Sequence, residues 1–70
     1  MTLNDEELTR IREQLHELRV EHRDLDQVIA HLTDLPPPDQ LLVRRLKKRK
    51  LALKDKIDCL ERMLVPDIPA

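Results

Sequence analysis

The sequence contains no phenylalanine, tyrosine or tryptophan, no glycine, and a single cysteine, Cys59. Each absence removes a class of function. Without aromatic rings there is no platform on which bases or sugars could stack, and the usual bulky core fillers are missing. Without glycine there is no phosphate-cradling loop, because such loops need backbone that enters positive φ. One cysteine allows no internal disulfide, which fits a reducing compartment. No stretch approaches the ~20 apolar residues of a membrane span. The start, Met1-Thr2-Leu3 followed by acids, lacks the basic and apolar regions of a secretion signal. A cytoplasmic location is the expectation.

Seventy residues make one domain, 1–70. A core in so short a chain rarely supplies more than ~3–5 kcal/mol without a disulfide, a metal or a partner subunit. The net charge of −1 conceals an asymmetry. Residues 1–34 hold nine acids and four arginines, a balance of −5; residues 35–70 hold nine bases and five acids, a balance of +4. Two such halves attract each other.

The apolar pattern is helical throughout. Asn4 is a good N-cap, Glu7 three residues on completes a capping box, and Leu3 with Leu8 has the spacing of a hydrophobic staple. Apolar residues then recur in steps of three and four: Leu8, Ile11, Leu15, Leu18, His22, Leu25, Ile29, Leu32, with His22 the one polar interruption. Pro36, Pro37 and Pro38 end this helix, because proline has no N–H and disfavours helical backbone in the residue before it. Asp39 then opens a second helix, as N-cap or first-turn acid. Its seam is Val43, Leu46, Lys50, Leu53, Ile57, Leu60, Leu64, interrupted only by Lys50. Pro66 and Pro69 stop it. The expected plan is a helix over 4–33, a proline-rich turn over 34–38, a helix over 39–64 and a short tail over 65–70. So short a turn makes the helices antiparallel neighbours.

The fold class is therefore all-α: an antiparallel, coiled-coil-like two-helix hairpin. Pairing outward from the turn sets Ile29 near Leu46, His22 near Leu53 and Leu18 near Ile57. The same alignment places Glu21 near Lys54, Asp26 near Arg49 and, unfavourably, Arg19 near Lys56. Leu18, Leu25, Leu46, Leu53 and Ile57 should be the most buried residues. Two helices cannot enclose a core, and Val20, Val28, Leu42, Leu51, Ala52 and Met63 lie off the seams. They point to a second covered face, met most economically by a homodimer in which two hairpins form a four-helix bundle.

The strongest local feature is the basic run RLKKRKLALKDKI over 45–57, preceded by Arg44. Arg44, Arg45, Lys47, Lys48, Arg49 and Lys54 are candidate contacts to a partner or polyanion, since clustered cations bind phosphate and release counterions. The competing expectation is a solvated face paired against the acidic first helix. His22 and Lys50 are the polar seam positions. Such residues fix register or oligomer state, and Lys50 can extend its ammonium outward toward Asp24 or Asp26. His16, His22 and His31 lack the i, i+4 spacing of helical metal ligands, so no metal is expected, nor any cofactor. Cys59 reads as a small, partly buried apolar residue. No catalytic residue is expected, because the acids lie along a continuous helix and a hairpin should offer no cleft of the usual pocket size, roughly 300 Å³ and up.

Two stretches, EHRDLDQVIAHL (21–32) and RLKKRKLALKDKI (45–57), resemble the YdcH-like family of small bacterial proteins, a domain of unknown function. Glu21-His22 followed by Leu25, Asp26 and Ile29 fits the family's first helix. Leu46-Lys47-Lys48, Lys50-Leu51, Leu53-Lys54-Asp55 and Ile57 fit its second. The similarity runs from about Leu8 to Leu64. Arg49 stands where an acid is common, and the triple proline and the PDIPA tail look particular to this chain. The SlyX-like proteins share the build but fit these motifs less well. The resemblance implies a cytoplasmic bacterial protein with a helical-hairpin fold and implies no activity. Its motifs include Lys47, Lys48, Lys54 and Asp55, which a seam does not require. The leading expectation is a self-associating adaptor or scaffold that binds a protein partner through an exposed helical surface. The alternative is a weak, sequence-insensitive binder of nucleic acid or another anionic surface through the basic helix.

Overall fold

The computed structural model describes residues 3–64. It is an antiparallel hairpin of two helices, α1 (Asp5–Asp34) and α2 (Gln40–Leu64), packed along their length. Each boundary has a local chemical cause. Asn4 Oδ1 accepts from the Glu7 amide at 2.7 Å and Glu7 Oε1 accepts from the Asn4 amide at 3.5 Å, a complete capping box. Asp5, Glu6 and Glu7 add negative charge at the positive end of the helix dipole. Leu35, forced out of helical backbone by Pro36 behind it, takes φ −79° and ψ 126° and closes α1. At α2 the carboxylate of Asp39 accepts from the Leu42 amide at 3.0 Å, making Asp39 the N-cap rather than a first-turn residue. The expected boundaries shift by about one residue, and the expected tail over 65–70 lies outside the described residues.

The molecule measures 51 × 27 × 13 Å, a slab one helix thick. Stable domains bury one face of each layer against another layer. Among the described residues each helix has only the other to pack on, so the core is a single line: Leu15, Ile29, Val43, Leu53 and Ile57 are buried. Leu53 and Ile57 are where the seam puts them. Leu18, Leu25 and Leu46 are only half-buried, against expectation, because no second layer covers their outer edges.

With Leu8, Leu15, His22 and Ile29 as heptad position a of α1, and Val43, Lys50 and Ile57 as position a of α2, the slab has two unlike faces. The cross-helix ion pairs identify them. Glu21 and Arg49, both at g, meet at 3.4 Å; Arg19 and Glu61, both at e, meet at 3.1 Å. In an antiparallel pair g therefore faces g on one side of the slab and e faces e on the other. This corrects two of the expected partners. Arg49 takes Glu21 and Lys54 bonds Asp58 in its own helix at 3.3 Å, while Lys50 takes Asp26, one of the two partners expected for it. Arg19 escapes Lys56 because the two lie on opposite faces. The g pair is offset from the seam alignment by five residues one way and the e pair by five the other. They bracket the alignment that the seams define.

Candidate interaction surfaces

Position e follows a around the helix, so the polar seam residues open toward the e face. Lys50 reaches out of the seam to the carboxylate of Asp26, and His22 Nδ1 lies 3.9 Å from the other oxygen of that carboxylate. His22 and Lys50 are both part-buried. The Lys50 ammonium hydrogen bond holds the Asp26 carboxyl below its ordinary pKa; partial desolvation opposes this, and the charges of Lys50 and His22 assist. Removing either partner would leave a half-covered charge in the middle of the seam. Ion pairs as exposed as Arg19–Glu61 and Arg49–Glu21 add little stability; what they define is register.

Among the described residues, two open grooves lie on the e face, each about 340 Å³, one lined by Thr33, Pro38, Gln40, Val43, Arg44 and Lys47 beside the turn and the other by Arg12, Leu15, Arg19, Glu61 and Leu64 at the open end. They reach the volume that a bare hairpin was expected not to offer. A line of contact between two cylinders leaves a furrow wherever the flanking side chains are long.

The basic run divides into two groups. Arg49, Lys50 and Lys54 each have a carboxylate partner. Arg44, Arg45, Lys47, Lys48 and Lys56 have none within 4.0 Å among the described residues, and all five are exposed. The acidic first helix thus engages Arg49 and Lys50 and leaves a cluster of four cations at the turn-proximal end of α2. The reason is positional: between Asp26 and Asp34, level with this end, α1 carries no acid.

The g face carries an apolar patch toward each end and charges between them. Of the large hydrophobic residues that stand exposed, Val28, Leu42 and Met63 occupy g, and Leu35 follows Val28 by one heptad. The half-buried Leu25, Leu32 and Leu46 lie at d, next to g, so their uncovered edges join the same surface. Ala52 and Cys59, at c, extend it, and Cys59 is exposed rather than partly buried as expected. Leu35 and Leu41 were not singled out from the sequence, although both flank the proline turn, where no helix could cover them. The signal that sorts the exposed residues is heptad position: Val20, Leu41 and Leu51 are scattered over b and f, while the others gather on one face.

Neither a curated protein nor a solved structure matches this chain. A family model described as "Protein of unknown function (DUF465)" matches residues 15–63, which span most of both seams, the turn and the whole basic run. The chain belongs to that family, in which the YdcH-like proteins are included.

Proposed function

We propose that the chain is a small, non-enzymatic bacterial scaffold of the cytoplasm that self-associates and holds a macromolecular partner on an exposed helical surface. The observation that carries this reading is the exposed apolar patch on the g face of a slab that has no second layer among the described residues. Val28, Leu35 and Leu42 stand exposed together at its turn end and Met63 at the other, beside a core of five buried residues among those described. Contiguous exposed apolar surface on a small protein marks an interaction site, whereas single exposed leucines mean little. Capture of partners from native cytoplasm, with nuclease-treated and untreated lysates compared, tests it. Retention of a protein partner after nuclease treatment and at moderate salt supports the scaffold. Loss of every partner on nuclease treatment removes it.

A second reading has its own support. Arg44, Arg45, Lys47 and Lys48 form an exposed group of cations without carboxylates, beside an open groove. Such a group binds phosphate without reading sequence, since the run over 44–56 offers no aromatic residue for stacking and no glutamine or asparagine for adenine. Fluorescence anisotropy with duplex DNA, single-stranded DNA and RNA tests it. Absence of binding at low salt eliminates it.

A further inference from the structure

We infer that the g face is covered by a second copy of this chain, related by a two-fold axis that runs along the hairpin, so that the two proline turns lie at the same end. This rests on the self-association reading and specifies its geometry.

Two arrangements bring two g faces together with two-fold symmetry. In one, the axis runs along the length of the hairpin: α1 lies over α2 of the second copy, and the turns coincide. In the other, the axis runs across the slab: α1 lies over α1, and the turns point in opposite directions. Both make every neighbouring pair of helices antiparallel, so helix dipoles do not choose between them. Charge does.

The exposed c and g positions in the middle of α1 hold Glu17, Glu21 and Asp24. Those of α2 hold Arg45, Arg49 and Lys56 and no acid. The seam alignment, which the Glu21–Arg49 and Arg19–Glu61 pairs bracket, sets the relative height of the two helices. At that alignment Glu17 lies within about 3 Å in height of Lys56 and Asp24 within about 3 Å of Arg49, from the 1.5 Å rise per residue, with Glu21 between these two bases. With the axis along the hairpin, the acidic stretch of α1 in one copy lies over the basic stretch of α2 in the other. With the axis across the slab, the acidic stretch faces its own copy and so does the basic stretch. Like charges set opposite one another oppose association, and complementary rows fix register.

The apolar residues agree with this choice. Turn-on-turn packing sets the Val28–Leu42 end of one copy against the same end of the other, and the Met63 ends likewise. The interface is then isologous, with an apolar patch near each end and a charged belt between them. The broad face, 51 by 27 Å, is larger than the roughly 800 Å² per partner that a standard interface covers. The arrangement also gathers Arg44, Arg45, Lys47 and Lys48 of both copies at one end of the assembly.

The test uses the full chain. Native mass spectrometry reports whether a dimer forms, and double electron–electron resonance reports its orientation. Spin labels are placed at Leu41→Cys and, separately, at Asp55→Cys, each with Cys59→Ser; both are exposed f positions on the back of α2. An axis along the hairpin gives equal label–label distances at the two positions, to within about 5 Å. An axis across the slab makes the Leu41 distance longer by about 10 Å or more, from the 1.5 Å rise per residue, and that result overturns the orientation while leaving self-association standing. A chain that is monomeric throughout overturns both. The double variant Val28→Glu/Leu42→Glu, whose positions are exposed in the single hairpin and whose helicity is checked by circular dichroism, should raise the dimer Kd by about a hundredfold or more. Leu51→Glu, off the g face, should leave Kd within about threefold. Equal effects of the two variants would show that the g face is not the interface.

Discussion

The two faces of this hairpin are made from the same two helices and differ in almost everything else. The e face carries the seam's polar interruptions, His22 and Lys50, joined to Asp26, together with the Arg19–Glu61 pair and two open grooves. The g face carries Val28, Leu42, Met63 and the uncovered edges of half-buried leucines, with one cross-helix ion pair in the middle. A heptad seam makes both faces of a two-helix layer available. Which one stays wet is decided by the residues that flank the seam. Polar a positions opening toward e give one face satisfied charges, and apolar g positions leave the other unfinished.

The strongest way to break this comparison is to remove the line that both faces share. Leu53→Ala, at a buried position, should destabilise the protein by ~2–5 kcal/mol. Against the modest stability of so small a fold, that is enough to lose most of the folded population. The same change at Leu46, which is half-buried, should cost distinctly less. Thermal melts followed by circular dichroism give both values, and equal losses would mean that the slab's outer edges are as covered as its centre.

A smaller effect separates the faces by mass action. A fold completed by a second copy melts at a temperature that rises with protein concentration. Val28→Glu/Leu42→Glu should abolish that dependence. Lys47→Gln, on the e face, should retain it, as measured by melts over a hundredfold range of concentration.

The two groups of cations offer a third comparison. In anisotropy titrations between about 50 and about 200 mM salt, the Arg44→Gln/Lys47→Gln variant should lose more affinity for labelled nucleic acid than Arg49→Gln. It should also lower the salt slope by about one per phosphate contact removed. Arg49 is already engaged by Glu21, so it has less charge to offer a phosphate than the cations without a carboxylate partner. Equal losses would mean that the Glu21 contact does not hold Arg49 in solution.

The smallest expected effect is a pH dependence confined to acid. Asp26 has a folded-state pKa held below its ordinary value of 3.8, chiefly by the Lys50 hydrogen bond. Its contribution to stability is fully present above that ordinary value and fades as the pH falls through the lower folded value. The difference in stability between the parent and Asp26→Asn should therefore be constant near neutrality and shrink in acid below about pH 3.8. Urea titrations at several pH values measure it.

Much of the fold was legible because its signals are local. Asn4 with Glu7, Asp39, and the proline run each act within four residues. The two seams repeat without a break, so helix number, direction and the buried positions of Leu53 and Ile57 followed directly. The departures have two causes. Carrying the core alignment out to the flanks puts Glu21 with Lys54, Asp26 with Arg49 and Arg19 with Lys56. Flanking residues pair g to g and e to e, which shifts them by five residues in opposite directions on the two faces. The same omission hid the g face, whose members are unremarkable one by one and significant only when sorted by heptad position. Leu18 and Leu25 are less buried than their seam positions implied, because burial needs a second layer that periodicity cannot report. The basic run could be seen but not divided, since which cations find carboxylates depends on that same cross-helix offset.

Sedimentation equilibrium of the unmodified chain at high micromolar concentration tests the central claim most directly. A concentration-dependent approach to twice the 8.3 kDa chain mass is the expected result, and a single species at 8.3 kDa at every concentration would contradict it.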